Sequence, residues 1–449
     1  MFVATPPNYK ELITQLLARD ADELVSLLTN SRELGIAPGG KYRHWNTLKH
    51  LEPPQGLTNE LWWASIKFAR NPLLRNLPLK DKGDQPFRYS TPDEALKMLQ
   101  HVDQHCSGTI RMPEVVIGDE SAQKQYLVNS LIEEAIRSSQ LEGATTSRTV
   151  AKEMIRTSRM PSNRSERMIL NNYNALQFMR AHGDSSLTPK LVLELHRILT
   201  EGTLDNPDAA GRLQTPEDIR VAVFDRTDHH KVVHEPPPAK ELPKRLQTMC
   251  DFANETESAT GFLHPVVRAI LLHFWLAYDH PFEDGNGRTA RALFYWSMRR
   301  SGYWLTEFLS ISEIFRKAPG RYGKAFIYVE TDDNDTTYFV LYHLAVVQQA
   351  IKRFHQYMQR KVAEIQNLEK KIRASDRFNH RQLALLGSAI RNPDQQYTFT
   401  SHARSHNVTL QTARTDLLYL EGQDLLQKRR RGKQYVFAPV ENLEAKLAG

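Results

Sequence analysis

Between residues 280 and 291 the chain reads His280-Pro-Phe-Glu-Asp-Gly-Asn-Gly-Arg-Thr-Ala-Arg291. Within these twelve positions lie a titratable base, a hard oxygen ligand, a glycine-rich turn and two arginines. An imidazole with an ordinary pKa near neutrality can take a proton from a hydroxyl. The Asp284 carboxylate suits Mg²⁺ held against phosphates. Gly285 and Gly287 permit backbone angles that let successive N–H groups converge on one anion. A helix beginning just beyond them adds unpaired N–H groups and a partial positive charge. Arg288 and Arg291, three apart on that helix, are expected on one face and aimed at the same anion. Together these parts handle a nucleotide polyphosphate.

The flanks supply the supports. Pro265 to Tyr278 is an apolar run long enough for a buried helix, and Thr289 to Arg300 resumes helical character through Ala292, Leu293, Tyr295 and Trp296. His273, inside the first helix, reads as a core histidine, and Asp284 or Asn286 could also serve as helix caps.

The stretch resembles the signature of the Fic family, H-x-F-x-D/E-G-N-G-R-x-x-R, and matches it at every specified position. Members of that family transfer AMP from ATP to a hydroxyl of a target protein. The resemblance therefore implies His280 as base for a Ser, Thr or Tyr hydroxyl and Asp284 as the Mg²⁺ ligand. It further implies Gly285, Asn286 and Gly287 as the cradle of the α- and β-phosphates, Arg288 as their support, and Arg291 as the γ-phosphate contact. Phe282 anchors the loop in the core.

Upstream, Ser138-Ser-Gln-Leu-Glu142-Gly143 closes a helical segment, Ser121 to Gln140, in which Tyr126, Val128, Leu131, Ile132 and Ile136 recur at helical spacing. It resembles the inhibitory S/T-x-x-x-E-G/N motif of Fic proteins, which implies a regulatory role for Ser138, Glu142 and Gly143. Glu142 paired with Arg291 would take the room that a γ-phosphate needs. The Coulomb attraction of such a pair is about 4 kcal/mol at 4 Å and an effective dielectric of 20, before desolvation is subtracted. Gly143 also reads simply as the residue that ends the helix.

Two further segments bear the resemblance. Ile219 to Phe224, a polar turn from Asp225 to Lys231, Val232-Val233 and the Pro236 to Pro238 run read as a β-hairpin. It is similar to the family's flap, which pairs with an extended target segment by strand addition. Asp228, His229, His230 and His234 in and beside that turn read as a solvated turn rather than a metal site. Arg321-Tyr322-Gly323 resembles a family segment whose first tyrosine contacts the nucleotide. That implies an ATP-side role for Tyr322, although Gly323 replaces the second tyrosine; a core tyrosine is the other reading.

A chain of 449 residues calls for two or three domains. With 40% hydrophobic and 25% charged residues it is an ordinary globular composition. Two cysteines, Cys106 and Cys250, suggest a reducing compartment. No signal peptide or membrane-length apolar run is read, so no membrane partner is expected and the cytoplasm is the expected location. The expected fold class is mainly α: a Fic-type helical core with a β-hairpin flap, plus a C-terminal winged helix domain. Residues 1–115 are expected to form a helical region with no legible chemistry, its Tyr42, Trp45, Trp62 and Trp63 serving as packing aromatics. Residues 116–336 are expected to form the core with its inhibitory helix, and 337–374 a long connecting helix, a spacer or homodimer contact.

Residues 375–449 carry 11 Lys+Arg against 7 Asp+Glu, so +4 of the chain's net +7 lies there. Their order of helix (His380 to Ile390), helix (Ser401 to His406), helix (Leu410 to Glu421, capped by Thr409) and basic hairpin resembles a winged helix-turn-helix. That implies a recognition helix and a wing, Arg429 to Lys433, for DNA, or else a protein-binding or scaffolding module. The sequence thus points to protein adenylyl transfer with ATP and Mg²⁺. The alternatives are transfer of another phosphate-containing group, or a DNA-binding regulator whose core senses nucleotide.

Overall fold

The computed structural model describes residues 3–19, 24–25, 27–29, 31, 35–54, 56–107, 120–220, 223–224, 232–255, 261–374, 377–391, 395–431, 434–440 and 442–448. The turn from Asp225 to Lys231, with His229 and His230, and Lys433 of the basic hairpin lie outside them. The fold is mainly α. Its elements are α1 (Tyr9–Arg19), α2 (Trp45–Leu48), α3 (Asn59–Arg70), β1 (Arg75–Lys80), β2 (Pro86–Tyr89), α4 (Asp93–Cys106), α5 (Glu120–Leu141), α6 (Arg148–Arg156), α7 (Arg164–Ala181) and α8 (Pro189–Thr200). There follow β3 (Val223–Phe224), β4 (Val232–His234), α9 (Leu242–Asn254), α10 (Pro265–Asp279), α11 (Asn286–Arg300), α12 (Ile311–Lys317), α13 (Pro319–Thr331) and α14 (Thr337–Ala374). The last are α15 (His380–Arg391), α16 (Phe399–His406), α17 (Leu410–Gly422), β5 (Leu426–Arg431), β6 (Gln434–Pro439) and α18 (Leu443–Ala448). Among the described residues, no helix is long and apolar enough to cross a membrane.

Chain contacts divide the molecule into two compact units, Met1–Gly108 with Leu131–Ala350, and Thr109–Ser130 with Ile351–Gly449. In the first, α10 is apolar on every side and buried from Val266 to Leu276, starting at Pro265, whose missing N–H costs nothing at a helix's first position. It packs along α11, and α7 and α8 lie against α11. The apolar face of α5 buries Ile132 and Ile136 against Met154 of α6 and Met168 and Ile169 of α7. Val128, expected on that face, is instead 39% exposed.

The N-terminal region is less purely helical than the sequence suggests, because β1 and β2 form an antiparallel hairpin. Leu77 and Leu79 alternate inward around Pro78, which masks the strand pattern, and Asp81 closes the turn by accepting from the N–H groups of Gly83 and Gln85, both at 2.8 Å. Phe87 of β2 meets Phe274 and Tyr278 of α10 edge-on at 5.3 and 4.8 Å. The expected packing aromatics are in place, with Tyr42, Trp45, Trp62 and Trp63 all buried.

A buried charged network joins this region to the junction of α13 and α14. Lys67 Nζ lies 2.7 Å from the Asp332 carboxylate, both nearly inaccessible. Arg70 stacks over the Tyr42 ring at 3.5 Å and donates to the Tyr338 hydroxyl at 2.7 Å. The Tyr338 hydroxyl in turn donates to Asp332 at 2.7 Å, and that of Tyr42 to Asp335 at 2.5 Å. Desolvating these charges is costly, so each depends on its partner.

The second unit has its own core, including Leu385, Leu386, Ile390, Leu417, Leu420, Leu426 and Phe437. Thr398 begins α16 with a capping box to Ser401, and Thr409 caps α17 by accepting from the Thr412 N–H. β5 and β6 pair antiparallel from Leu426–Pro439 to Arg431–Gln434, and a Tyr397–Phe437 bridge adds a third short edge. Asp416, on the buried face of α17, is gripped by Arg381 of α15 through Nε at 2.7 Å.

Asp332→Ala leaves buried Lys67 with only the longer, half-exposed contact to Asp333 at 3.6 Å. Chemical unfolding is expected to show a loss of about 3–5 kcal/mol, whereas breaking an exposed pair such as Lys80–Asp84 should leave the unfolding midpoint nearly unchanged.

Candidate active site

The buried helix α10 ends at Asp279 because Pro281 cannot continue it. His280 caps it in the left-handed conformation, φ 45° and ψ 54°, with its N–H on the Leu276 carbonyl at 3.0 Å. Carbonyls at such an end lack helical partners, and here the protein supplies them in succession. The Tyr278 carbonyl accepts from His234 Nε2 at 2.7 Å, and that of Asp279 from Arg220 Nη2 at 2.8 Å. The His280 carbonyl accepts from Arg220 Nη1 at 2.9 Å, and that of Pro281 from the Gln214 N–H at 2.9 Å. The Asp279 carboxylate is held by Arg245 Nε at 2.8 Å and Trp275 Nε1 at 3.0 Å.

Around the turn, Phe282 is fully buried and stacks flat on His196, ring centres 3.7 Å apart. His196 Nε2 donates to the Asp284 carbonyl at 2.8 Å, while its Nδ1 accepts from the Gly211 N–H at 3.0 Å. The Asn286 side chain spans the turn to the Phe282 N–H (3.0 Å) and carbonyl (2.8 Å), which leaves its backbone N–H as the group it can offer an anion. Gly285 takes φ +85°, and a Cβ there would lie 2.8 Å from Thr200 Cγ2, so only glycine fits. A Cβ on Gly287 would collide with the Glu142 carboxylate.

The two arginines part company. Arg288 is fully buried and donates to the Leu199 carbonyl at 3.1 Å and to Asp284 Oδ2 at 3.0 Å. A three-residue offset turns neighbouring side chains about 60° apart on a helix, and the second arginine lies on the α5 side. There Arg291 donates through Nε to Ser138 Oγ at 2.8 Å and through Nη2 to the Ser138 carbonyl at 3.2 Å, with Glu142 Oε1 2.8 Å away. Gly143, at φ +98°, turns the chain out of α5 just beyond.

Three observations bear on whether a triphosphate fits. Arg291 is 1% exposed and its Nη1 has no hydrogen-bond acceptor among the described residues. That atom faces Gly287, about where the first N–H groups of α11 emerge. Glu142, an anion, is already seated at that spot. The donor set fits an anion. Asp284, about half exposed, could hold Mg²⁺ beside it through a hard carboxylate oxygen.

His280 departs from the expected neutral-range pKa. Burial pushes its imidazole down to about 4; the Ala277 carbonyl and Glu142 pull the other way, and the charges of His234 and Arg220 add to the lowering. Nδ1 faces the Ala277 carbonyl at 3.4 Å, so a hydrogen there leaves Nε2 as the accepting atom. Tyr322 turns its hydroxyl to His273 Nε2 at 2.8 Å and stacks on Phe315 at 4.4 Å. His273 is a buried core histidine, as expected.

Sequence reasoning missed Arg220, Gln214, His196, Arg245 and Glu134. Glu134, one helical turn before Ser138, is buried, which raises its pKa, and accepts from Ser310 Oγ at 2.7 Å and from the Ser312 N–H at 3.3 Å. It fastens α5 to the start of α12.

Residues 186–298 match the model of the Fic/DOC family. This chain carries a Fic domain. It is 27% identical over 186 residues to the "Protein adenylyltransferase Fic" of Nematostella vectensis, covering 40% of each chain. To the protein of the same name from Drosophila willistoni it is 35% identical over 117 residues, 26% of this chain and 20% of that one. The chain thus spans well under half the length of these curated relatives. Among solved structures, a Fic family protein from Desulfovibrio desulfuricans G20 matches with a TM-score of 0.51 at 17% identity, over 77% of this chain and 95% of that one, a likeness of fold.

Histidine-labelled NMR should find the His280 ring of the ligand-free protein titrating near 4, neutral above it and protonated below. A midpoint near the ordinary 6.5 would contradict the burial described.

Proposed function

We propose that the Fic domain transfers AMP from ATP to a hydroxyl group of a target protein, and that Glu142 holds it off. The observation that carries this reading is a carboxylate seated on a buried arginine beside the Gly287 turn, a place built for a phosphate. Adenylyltransferase relatives support the same chemistry.

In the reaction, the hydroxyl oxygen of a Ser, Thr or Tyr bonds to the α-phosphorus. The bond from that phosphorus to the bridging oxygen breaks, and pyrophosphate leaves with the electron pair. The hydroxyl proton passes to His280 Nε2, which is neutral and available across physiological pH. N–H groups at the start of α11 stabilise charge on the phosphates, and Arg291 meets the γ-phosphate once Glu142 has moved. When bound at Asp284, Mg²⁺ would supply neutralising charge. Arg288 acts through Asp284, fixing the carboxylate's direction. The Fic resemblance assigns Tyr322 to the nucleotide side, where its ring would act while its hydroxyl stays on His273. Two free buried cysteines suit a reducing interior such as the cytoplasm.

A second activity fits the C-terminal unit. α17 buries Ala413, Leu417 and Leu420 while exposing Gln411, Arg414 and Thr415 near its start. β5 adds Lys428, Arg429 and Arg430, with Lys428 over the Tyr435 ring at 4.6 Å. This surface suits a helix in the major groove of duplex DNA with a basic hairpin on the phosphates.

With ATP labelled at the α-phosphate, Glu142→Gly should raise protein labelling about 10–10³-fold, the range for relieving ~1.4–4 kcal/mol of inhibition. Adding His280→Ala should cut it by about 10²–10⁴-fold. Equal labelling by the parent and Glu142→Gly would remove the inhibitory role. Mass spectrometry showing an added group other than AMP would replace the donor chemistry. For the C-terminal unit, the full chain should bind duplex DNA in a salt-dependent way. Arg414→Ala and Arg429→Ala should each flatten the slope of log affinity against log salt by about 1; affinity indifferent to salt would refute DNA binding.

A further inference from the structure

We propose that Arg220 is a positioning residue for His280, holding the base's own peptide to both flanks of the β3–β4 hairpin. The inference rests on the transfer reading above, yet it concerns a residue outside the Fic signature.

Arg220 stands just before β3, and Pro237 just after β4. Its guanidinium donates from Nε to the Pro237 carbonyl at 3.0 Å, from Nη2 to that of Asp279 at 2.8 Å and from Nη1 to that of His280 at 2.9 Å. The Gln214 side-chain oxygen also accepts from Nη1. One planar fork therefore spans three backbone carbonyls from two separate segments, a geometry that lysine, with its single ammonium, cannot reproduce. Positioning is needed because His280 is left-handed at φ 45°, a conformation disfavoured for a side-chain-bearing residue. The neighbouring donors, His234 on the Tyr278 carbonyl and the Gln214 N–H on that of Pro281, hold the residues on either side but not His280 itself. Arg220 alone among the described residues grips the His280 carbonyl by a side chain. Its charge also faces the imidazole, together with those of His234 and Glu142 and the Ala277 carbonyl.

The test uses the full chain in the Glu142→Gly background. Arg220→Ala should lower kcat for transfer about 10²-fold, the penalty for a base displaced by about 1 Å, while KM for ATP stays unchanged. NMR titration of the His280 ring, which needs no turnover, should show its midpoint moving upward as the facing charge is lost. Arg220→Lys retains the charge without the fork. It should leave the titration near that of the parent and still lose most of the rate. Unchanged kcat in Arg220→Lys, or in a folded Arg220→Ala, overturns the proposal; Arg220→Lys decides the matter if Arg220→Ala does not fold. Absence of any transfer in the Glu142→Gly parent would defeat the adenylylation reading instead, and a His280 titration identical in all three forms would then refute the role of Arg220.

Discussion

The end of a fully buried helix is the constraint from which the site follows. Water cannot reach the last carbonyls of α10 freely, so donors must come from the protein, and a missing one costs about 1–3 kcal/mol. Those donors are His234, Arg220 and the Gln214 N–H, each belonging to the hairpin or to the segment leading into it. The hairpin is thereby fixed beside His280 by backbone accounting, whatever else it binds. His196 does the same service for the Asp284 carbonyl from α8.

A second constraint is electrostatic. Arg291 lies beneath the surface, where a lone guanidinium would be intolerable. Ser138 answers it with a hydroxyl and a carbonyl, and Glu142 with a full charge. The glycine at 287 leaves room for that carboxylate, and Glu134 keeps α5 seated one turn away. Burial acts on His280 in the opposite sense, by keeping the imidazole uncharged. Burial thus favours an anion at Arg291 and a neutral ring at His280.

Much of this was legible in the amino-acid order. The 280–291 turn is contiguous, so its geometry is local; the α10 and α11 helices and the Thr409 cap follow from short-range rules and are present. The Glu142–Arg291 contact could be anticipated because a short motif marks one end of it. Other features were hidden for physical reasons. Arg220, Gln214, His196 and Glu134 are ordinary residue types whose roles exist only once distant segments meet. The β1–β2 hairpin was masked by Pro78 inside the strand. The His280 pKa belongs to its surroundings and not to its residue type. Arg288 and Arg291 were expected to converge, but helical rotation and a buried acceptor on each side send them apart.

The network of Lys67, Arg70, Tyr42, Asp332, Asp335 and Tyr338 bears on inheritance. Opposite charges that neutralise each other far from solvent, on segments as much as 293 positions apart in the chain, cannot be exchanged separately. A gene fusion joining a foreign leader to the Fic domain would strand two aspartates in a dry interior. Any graft at the front of this chain must therefore carry the Tyr42, Lys67 and Arg70 positions together with the 332–338 segment.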